Sequence, residues 1–190
     1  SRSAFIMNAK VQIQLQEQLV PFYNATNYLN AYKIAYETAT QLRTLLNQIS
    51  KSAIFVKTYA EEHNLDNSIF IEVENLIAIS LQLSNSYADT CNAVIKRHRK
   101  APHDQYDAGD LNEAYALAHE YTTWLETLIS KIRIEVKLVK EAVKDVIHSS
   151  VFATLESLIN IAEYFAEINV NTFSIESEKY EAEFEVSKNG

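Results

Sequence analysis

One short segment of the chain concentrates the residue types that bind and process phosphates. Within Lys96-Arg97-His98-Arg99-Lys100 four side chains carry a fixed positive charge, and His103 follows in the next connection. Basic side chains bind phosphate through charge and hydrogen bonds, and a histidine can move a proton near neutral pH. The same run also suits the last turn of a helix, where positive charge opposes the helix dipole. Taken alone, the segment leaves both interpretations open.

Other kinds of chemical site find little support in the sequence. Gly109 is the only glycine before the terminal residue, so no glycine-rich phosphate loop can be written. Cys91 is the single cysteine, which excludes internal disulfides and cysteine-based metal sites, and its place on an apolar stripe predicts a core thiol. His119-Glu120 lacks the second histidine of a zinc-protease motif. We therefore predict no metal and no cofactor.

The overall charge limits the kind of partner. The 190 residues carry 17 Lys and Arg against 25 Asp and Glu, which gives a net charge of −8 and a pI near 5.1. An acidic chain of this kind is not a general nucleic-acid or membrane-surface binder. No run of 18 apolar residues occurs, and Ser1–Ala9 lacks the basic start and apolar segment of a signal peptide. We expect a cytoplasmic protein without membrane attachment.

The elements that position the basic segment are predicted to be helices. Two glycines and two prolines stand where roughly 20 such residues would be usual, and this scarcity excludes most all-β folds. Apolar residues recur at steps of three and four along 28–49, 69–95, 111–146 and 152–165, the pattern of amphipathic helices. Asp110 is the predicted N-cap of the third of these stripes. The fold class is all-α, an antiparallel bundle of four to six helices.

The organisation along the chain is predicted to be simple. Residues 1–170 form one helical-bundle domain, and no repeat or linker divides them. Residues 171–190 differ, because aromatic and β-branched residues alternate there with Glu and Ser. This acidic tail is predicted to be a small hairpin, a strand lent to a partner, or a disordered end.

The basic segment resembles the motif of the HEPN superfamily of small all-helical ribonucleases and nucleotide-associated domains. Arg97-His98-x4-His103 fits that family's pattern, in which four to six residues separate an arginine from a histidine and the first of these residues is polar. Tyr106 occupies a place similar to that of a tyrosine often found after this histidine. In architecture the resemblance extends over about Ile69 to Val146.

The resemblance implies a site, a reaction and partners. Arg97 and His103 would be the catalytic residues of an endoribonuclease that works without a metal ion. Arg97 would hold the phosphodiester, and His103 would transfer a proton to or from the attacking 2′-hydroxyl or the leaving oxygen. The substrate-binding candidates are Lys96, His98, Arg99, Lys100 and Tyr106. A homodimer is implied, with an antitoxin or a nucleotidyltransferase as partner in a toxin–antitoxin or defence system.

A second interpretation of the sequence requires no catalysis. A helical bundle can act as an interaction or regulatory module that binds a partner through its surface. The resemblance and this alternative differ in what Arg97 and His103 do, and the sequence alone does not decide between enzyme and binding module.

Overall fold

Four long α-helices make up most of the structure, a computed structural model that describes residues 22–101 and 105–190. We number them α1 (Ala25–Glu62), α2 (Ile71–Lys100), α3 (Ala108–Ala142) and α4 (Ala153–Lys188). In the part of the chain that the structure describes, extended pairing is limited to one isolated bridge between Tyr23 and Tyr106. The prediction of an all-α helical bundle is confirmed.

Each helix runs antiparallel to the next, and α4 returns beside α1. Side-chain contacts between helices show this, since residue numbers rise on one helix as they fall on its neighbour. The contacts are Arg43–Asn85 and Lys57–Glu74 for α1 with α2, Ser177–Asn112 and Lys140–Glu156 for α3 with α4, and Thr38–Asn169 for α1 with α4. The bundle is therefore a pair of helical hairpins, α1–α2 and α3–α4, packed on each other.

A continuous apolar core fills the space between the helices. The stripes seen in the sequence supply it, and its fully buried members include Leu42, Leu46 and Ile49 of α1 and Leu125 of α3. Burying such side chains is the main favourable term in folding, at about 25 cal/mol for each Å² removed from water. Cys91 is buried in the same core, as predicted.

The start of α3 differs by one turn from the prediction. Asp107, not Asp110, is the N-cap: its carboxylate accepts from the backbone N–H of Asp110 at 3.0 Å. Asp110 returns the contact by accepting from the backbone N–H of Asp107 at 2.9 Å. The N-cap prediction was wrong because Asp110 takes the third helical position of this capping box, so the helix begins before Gly109.

The C-terminal segment corrects a second prediction. Residues 171–188 are neither a hairpin nor a disordered tail but continue α4 as a helix. Phe173 is fully buried, and the ring of Tyr180 stacks on Tyr115 with centroids 5.7 Å apart. Phe184 packs so close to Gly109 that a Cβ there would lie 2.9 Å from the ring. These contacts with α3 hold the segment in the bundle.

The two hairpins are copies of one pattern, contrary to the expectation that no repeat exists. With a shift of 83 residues, thirteen of the thirty-five pairs between 23–57 and 106–140 are identical. With a shift of 82, six of the twelve pairs between 68–79 and 150–161 are identical. The change of shift falls in the connection between the helices of each hairpin. Both second helices follow a single 3-10 turn, Asn67–Phe70 in one and Ser149–Phe152 in the other.

Contacts in the structure repeat along with the sequence. The ion pair Lys57–Glu74 of the first hairpin (2.8 Å) returns as Lys140–Glu156 of the second (2.6 Å). Between the hairpins, the contact of Tyr87 with Tyr121 is matched by that of Asn169 with Thr38. Tyr23 and Tyr106 are themselves equivalent residues.

The pairing of Tyr23 with Tyr106 places an approximate two-fold axis between the hairpins. The N–H of Tyr23 donates to the carbonyl of Tyr106 at 2.8 Å, and the N–H of Tyr106 donates back at 2.9 Å. Two equivalent residues that exchange both backbone hydrogen bonds lie symmetrically about a local axis. The chain is thus built like a two-fold dimer of helical hairpins joined into one polypeptide.

Candidate functional site

The predicted basic residues lie together on the last turn of α2. Lys96, Arg97, Arg99 and Lys100 are all exposed there, and the carbonyl of Arg97 accepts from the backbone N–H of Ala101 at 3.1 Å. Their positive charges oppose the negative end of the helix dipole, which stabilises the turn. The structure therefore gathers these cations on one exposed surface, at the end of the bundle that carries the Tyr23–Tyr106 bridge.

His98 is fixed between this basic turn and the protein interior. Its Nδ1 and the hydroxyl of Tyr106 are 2.7 Å apart and share a hydrogen bond. The imidazole also packs against the ring of Tyr28, with centroids 4.5 Å apart. Two of the predicted site residues, His98 and Tyr106, are thus brought together, and the end of α2 is fastened to the core.

Tyr106 acts from inside the bundle. It is 5% exposed, and its ring stacks on that of Tyr28 with centroids 4.4 Å apart and planes 11° from parallel. Its backbone holds the bridge to Tyr23. Direct contact of Tyr106 with a substrate stays a prediction, and in this structure its hydroxyl supports His98.

The tyrosines beneath the basic turn are neutral at physiological pH. Burial raises the pKa of Tyr28 above its ordinary value, although the hydrogen bond with Tyr32 and the positive charge of Arg97 act in the opposite direction. Burial, assisted by the hydrogen bond with Tyr28, also raises the pKa of Tyr32. These phenols therefore pack and hydrogen-bond as neutral groups and do not serve as bases.

His103, the predicted proton-transfer residue, lies outside the described residues, as does Pro102. The pairing of Arg97 with His103 in one site accordingly stays a prediction.

The equivalent end of the second hairpin carries the opposite charge. Lys179 and Tyr180 of α4 occupy the positions that correspond to Arg97 and His98, but Glu178, Glu181 and Glu183 surround them. Tyr180 meets the ring of Tyr23 edge-on at 5.4 Å, and the hydroxyl of Tyr23 donates to Glu183. One end of the bundle therefore presents a basic half, on α2, beside an acidic half, on α4.

Sequence reasoning missed the aromatic side chains that support this end. Tyr23 precedes α1, Tyr28 lies at the start of α1, and Tyr180 lies on α4, all far in sequence from the motif. The signal that could have found Tyr23 and Tyr180 is the repeat, which pairs Tyr23 with Tyr106 and Tyr180 with His98.

Among the described residues no group of three or more His, Cys, Asp or Glu side chains is arranged to hold a metal ion. Within 22–101 and 105–190, none of the helices combines the length and hydropathy of a membrane-spanning segment. Compared with models of known protein families, with curated proteins and with solved structures, the chain gives no match.

Proposed function

We propose that this protein binds single-stranded RNA on the basic turn at the end of α2 and cleaves it without a metal ion. The observation that carries the proposal is the attachment of that turn to the core. Arg97 and its basic neighbours are exposed, while His98 between them is fixed by Tyr106 and Tyr28. The anchored His98 limits fraying of the turn, so less backbone freedom is lost when a phosphate binds there than at a fraying helix end.

The proposed reaction divides the work between two side chains. The guanidinium of Arg97 binds the non-bridging oxygens of the phosphodiester and stabilises the charge that develops on them. His103 accepts the proton of the 2′-hydroxyl as its oxygen attacks phosphorus. The bond from phosphorus to the 5′-oxygen breaks, that oxygen takes up a proton, and a 2′,3′-cyclic phosphate remains on the upstream strand.

The proposal includes a homodimer of the whole chain. Within one chain the internal two-fold axis sets the basic end of α2 beside the acidic end of α4, not beside a second basic end. A composite site with two Arg97–His103 pairs therefore requires a second copy, with the two motifs near a shared axis. Light scattering at micromolar concentration measures the mass. In a cell, an antitoxin or a nucleotidyltransferase would be the partner of such a toxin or defence ribonuclease.

Cleavage of a labelled single-stranded RNA in EDTA tests the enzyme proposal. We expect Arg97→Ala and His103→Ala each to lower the cleavage rate by about 10²-fold or more. Lys33→Ala and His63→Ala are matched controls, because both residues are exposed and neither belongs to the basic turn. Cleavage that is equally fast in all variants would reveal a contaminating nuclease and reject the proposal.

Salt dependence tests RNA binding separately from cleavage. Only four cations crowd the basic turn, so the slope of log K against log salt should be no steeper than about −3 for a single strand. A much steeper slope would place the RNA on another surface. Absence of binding at low salt would reject RNA as the ligand.

One observation favours the alternative of a non-enzymatic interaction module. The outer face of α4 exposes Ile161, Tyr164, Ile168 and Ile175 in a single row at helical spacing. Exposed apolar rows of this kind are typical of surfaces that bind another protein. A protein that binds no RNA and whose mass stays monomeric would make this the better interpretation.

A further inference from the structure

A cavity of about 640 Å³ opens between α3 and α4 close to their connection. Its floor is apolar and consists of Val136, Ile147 and Ile159, which are each at most 2% exposed. Its volume is that of a pocket for a small organic molecule. Along α3 the cavity is about 40 Å from the basic turn of α2, given a rise of 1.5 Å for each residue, so the two surfaces are separate.

Basic side chains line one wall of this cavity. Arg133, Lys137, Lys140 and Lys144 follow at steps of four, three and four, so they project from one side of α3 and of the turn after it. Among the described residues that line the cavity, only Glu141 and Glu156 are acidic. The local charge is therefore positive in a chain whose net charge is −8.

Not all of these cations are available to a ligand. Lys140 pairs with Glu156 at 2.6 Å, and the first hairpin has the same pair in Lys57 and Glu74, so this contact belongs to the common framework. Lys144 pairs with Glu141, but both side chains are more than half exposed, and such pairs contribute little. Within the described part of the chain, Lys137 forms no ion pair.

The equivalent groove of the first hairpin shows which of these side chains are required for packing the two helices together. Between α1 and α2 the equivalent groove is a cavity of about 250 Å³. There Ile54 stands in place of Lys137, Ser50 in place of Arg133, and Ala78 in place of Asn160. Since the equivalent helix pair packs with uncharged residues at these three positions, the side chains of Arg133, Lys137 and Asn160 are not needed for folding.

The connections at the mouths of the two grooves also differ in charge, and that of the second hairpin is again the more positive. Lys144 replaces Glu61, and His148 replaces Asp66. Asp66 caps its 3-10 turn by accepting from the N–H of Ser68 at 2.9 Å, and His148 does so by accepting through Nδ1 from the N–H of Ser150 at 3.2 Å. The cap is kept while its negative charge is lost.

The role of Nδ1 as acceptor also fixes the tautomer of His148. A neutral imidazole whose Nδ1 accepts a hydrogen bond carries its hydrogen on Nε2. Nε2–H is then a donor, and His148 lines the cavity. Beside these cations, Glu141 and Glu163 replace the uncharged Thr58 and Leu81 of the first hairpin, but they pair with Lys144 and Arg133 respectively.

We propose that the groove between α3 and α4 binds a small phosphate monoester. Lys137, Lys144 and the Nε2–H of His148 donate to the phosphoryl oxygens, and the amide of Asn160 lies at the edge of the same cavity. The apolar floor receives the organic part of the ligand. This site is independent of the proposed RNA site at the other end of the bundle.

Titration of the full chain with adenosine monophosphate and with inorganic phosphate tests the proposal. We expect both probes to bind saturably, the nucleotide more tightly because only it reaches the apolar floor. Lys137→Ile installs the residue of the first hairpin and should raise Kd by about tenfold, as expected for loss of a charged hydrogen bond. Lys144→Glu, which installs the equivalent of Glu61, should abolish binding.

A matched control and the site of binding complete the test. Lys51→Ile makes the same chemical change on α1, where Ile134 is the equivalent residue of the second hairpin, and should leave Kd unchanged. Backbone amide shifts on titration should centre on 133–160. Failure of both probes to bind at up to about 10 mM, an unchanged Kd in Lys137→Ile and Lys144→Glu, or shifts confined to 96–100 would overturn the proposal.

Discussion

Cys91 and Tyr115 show how burial changes the chemistry of single side chains in this bundle. Burial raises the pKa of the Cys91 thiol to about 12. Burial, with repulsion from Glu176 and Tyr180, raises the pKa of the Tyr115 hydroxyl to about 12. Both groups are therefore protonated at neutral pH, and neither is a nucleophile or a base. The residues left for chemistry are those at the ends and edges of the helices.

Glu126 of α3 is a carboxylate that costs stability when it is charged. Burial raises its pKa above the ordinary value, and the negative charges of Glu167 and Glu163 on α4 raise it further. Because the folded-state pKa exceeds the unfolded one, the penalty is present at neutral pH and disappears as pH falls through the folded-state pKa. We expect Glu126→Gln to stabilise the protein at pH 7 by about 0.5 kcal/mol.

Thermal unfolding at several pH values checks this prediction. The gain in Tm should shrink as the pH falls toward the ordinary range of a glutamate, about 4.3, because the wild-type carboxyl, whose pKa is raised, takes up its proton before that range is reached. Glu120→Gln is the control, since Glu120 is exposed on the same helix. A gain of equal size at all pH values would show that the amide acts by packing and not by removing charge.

At the scale of the helices, the apolar stripes predicted most of what the structure shows. The segment Lys131–Leu138 alternates as a strand would, yet the three-and-four stripe through it predicts helix, and it lies within α3. The tail also has a helical period, because Phe173, Tyr180 and Phe184 follow at steps of seven and four with the polar Ser177 between them. The alternation of Glu with aromatic residues led instead to the prediction of a hairpin, a strand lent to a partner or a disordered end.

The helical tail predicts a large effect of one buried residue within it. Phe173 is fully buried near Tyr115, whereas Ile175, two residues on, is 65% exposed. We expect Phe173→Ala to lower the free energy of unfolding by about 3–5 kcal/mol. Ile175→Ala should change it by no more than about 0.5 kcal/mol. Urea denaturation measures both, and equal, small effects would contradict the docking of 171–188 on α3.

The candidate sites differ in how far the sequence could predict them. The cations at the end of α2 lie within five consecutive residues. Their position together on one helix turn could therefore be predicted from the sequence. The groove between α3 and α4 joins Lys137 to His148 and Asn160, whose proximity depends on the packing of two helices. In the sequence, only the basic stripe along α3 indicates this groove. Because some of its cations form ion pairs within the groove, the sequence does not reveal the net charge there.

At the scale of the whole molecule, duplication explains the architecture. Seven of the nineteen identical pairs are buried in both hairpins, among them Ala35 and Ala118, Leu42 and Leu125, and Phe70 and Phe152. The surface residues have diverged, and their different charges make the repeat hard to recognise. The shift in residue number between equivalent positions also changes from 83 to 82 in the middle of the hairpin. A comparison of the sequence with itself at one fixed shift therefore detects only half of the pattern. Core positions are retained because a close-packed interior tolerates few changes of volume.

Divergence in the core predicts that the hairpins pair with each other and not with themselves. Tyr87 packs on Tyr121, and the equivalent contact is the hydrogen bond of Thr38 with Asn169 at 3.2 Å. If two copies of the second hairpin paired with each other, Asn169 of one copy would face Tyr121 of the other. Its hydrogen bond with Thr38 would then be lost. Leaving such a part-buried polar group without that partner costs about 1–3 kcal/mol.

Expressing residues 1–101 and 105–190 as separate chains tests this prediction. Each hairpin alone exposes one side of its core, so we expect each to be weakly helical and prone to aggregate. Mixed in equal amounts they should form a one-to-one complex with the circular dichroism of the intact chain, and light scattering should give the combined mass. Asn169→Ala removes the polar group, and we expect it to let the second hairpin pair with itself more readily. A hairpin that is fully helical and monomeric alone would contradict the shared core, because its apolar side would then be stable in water.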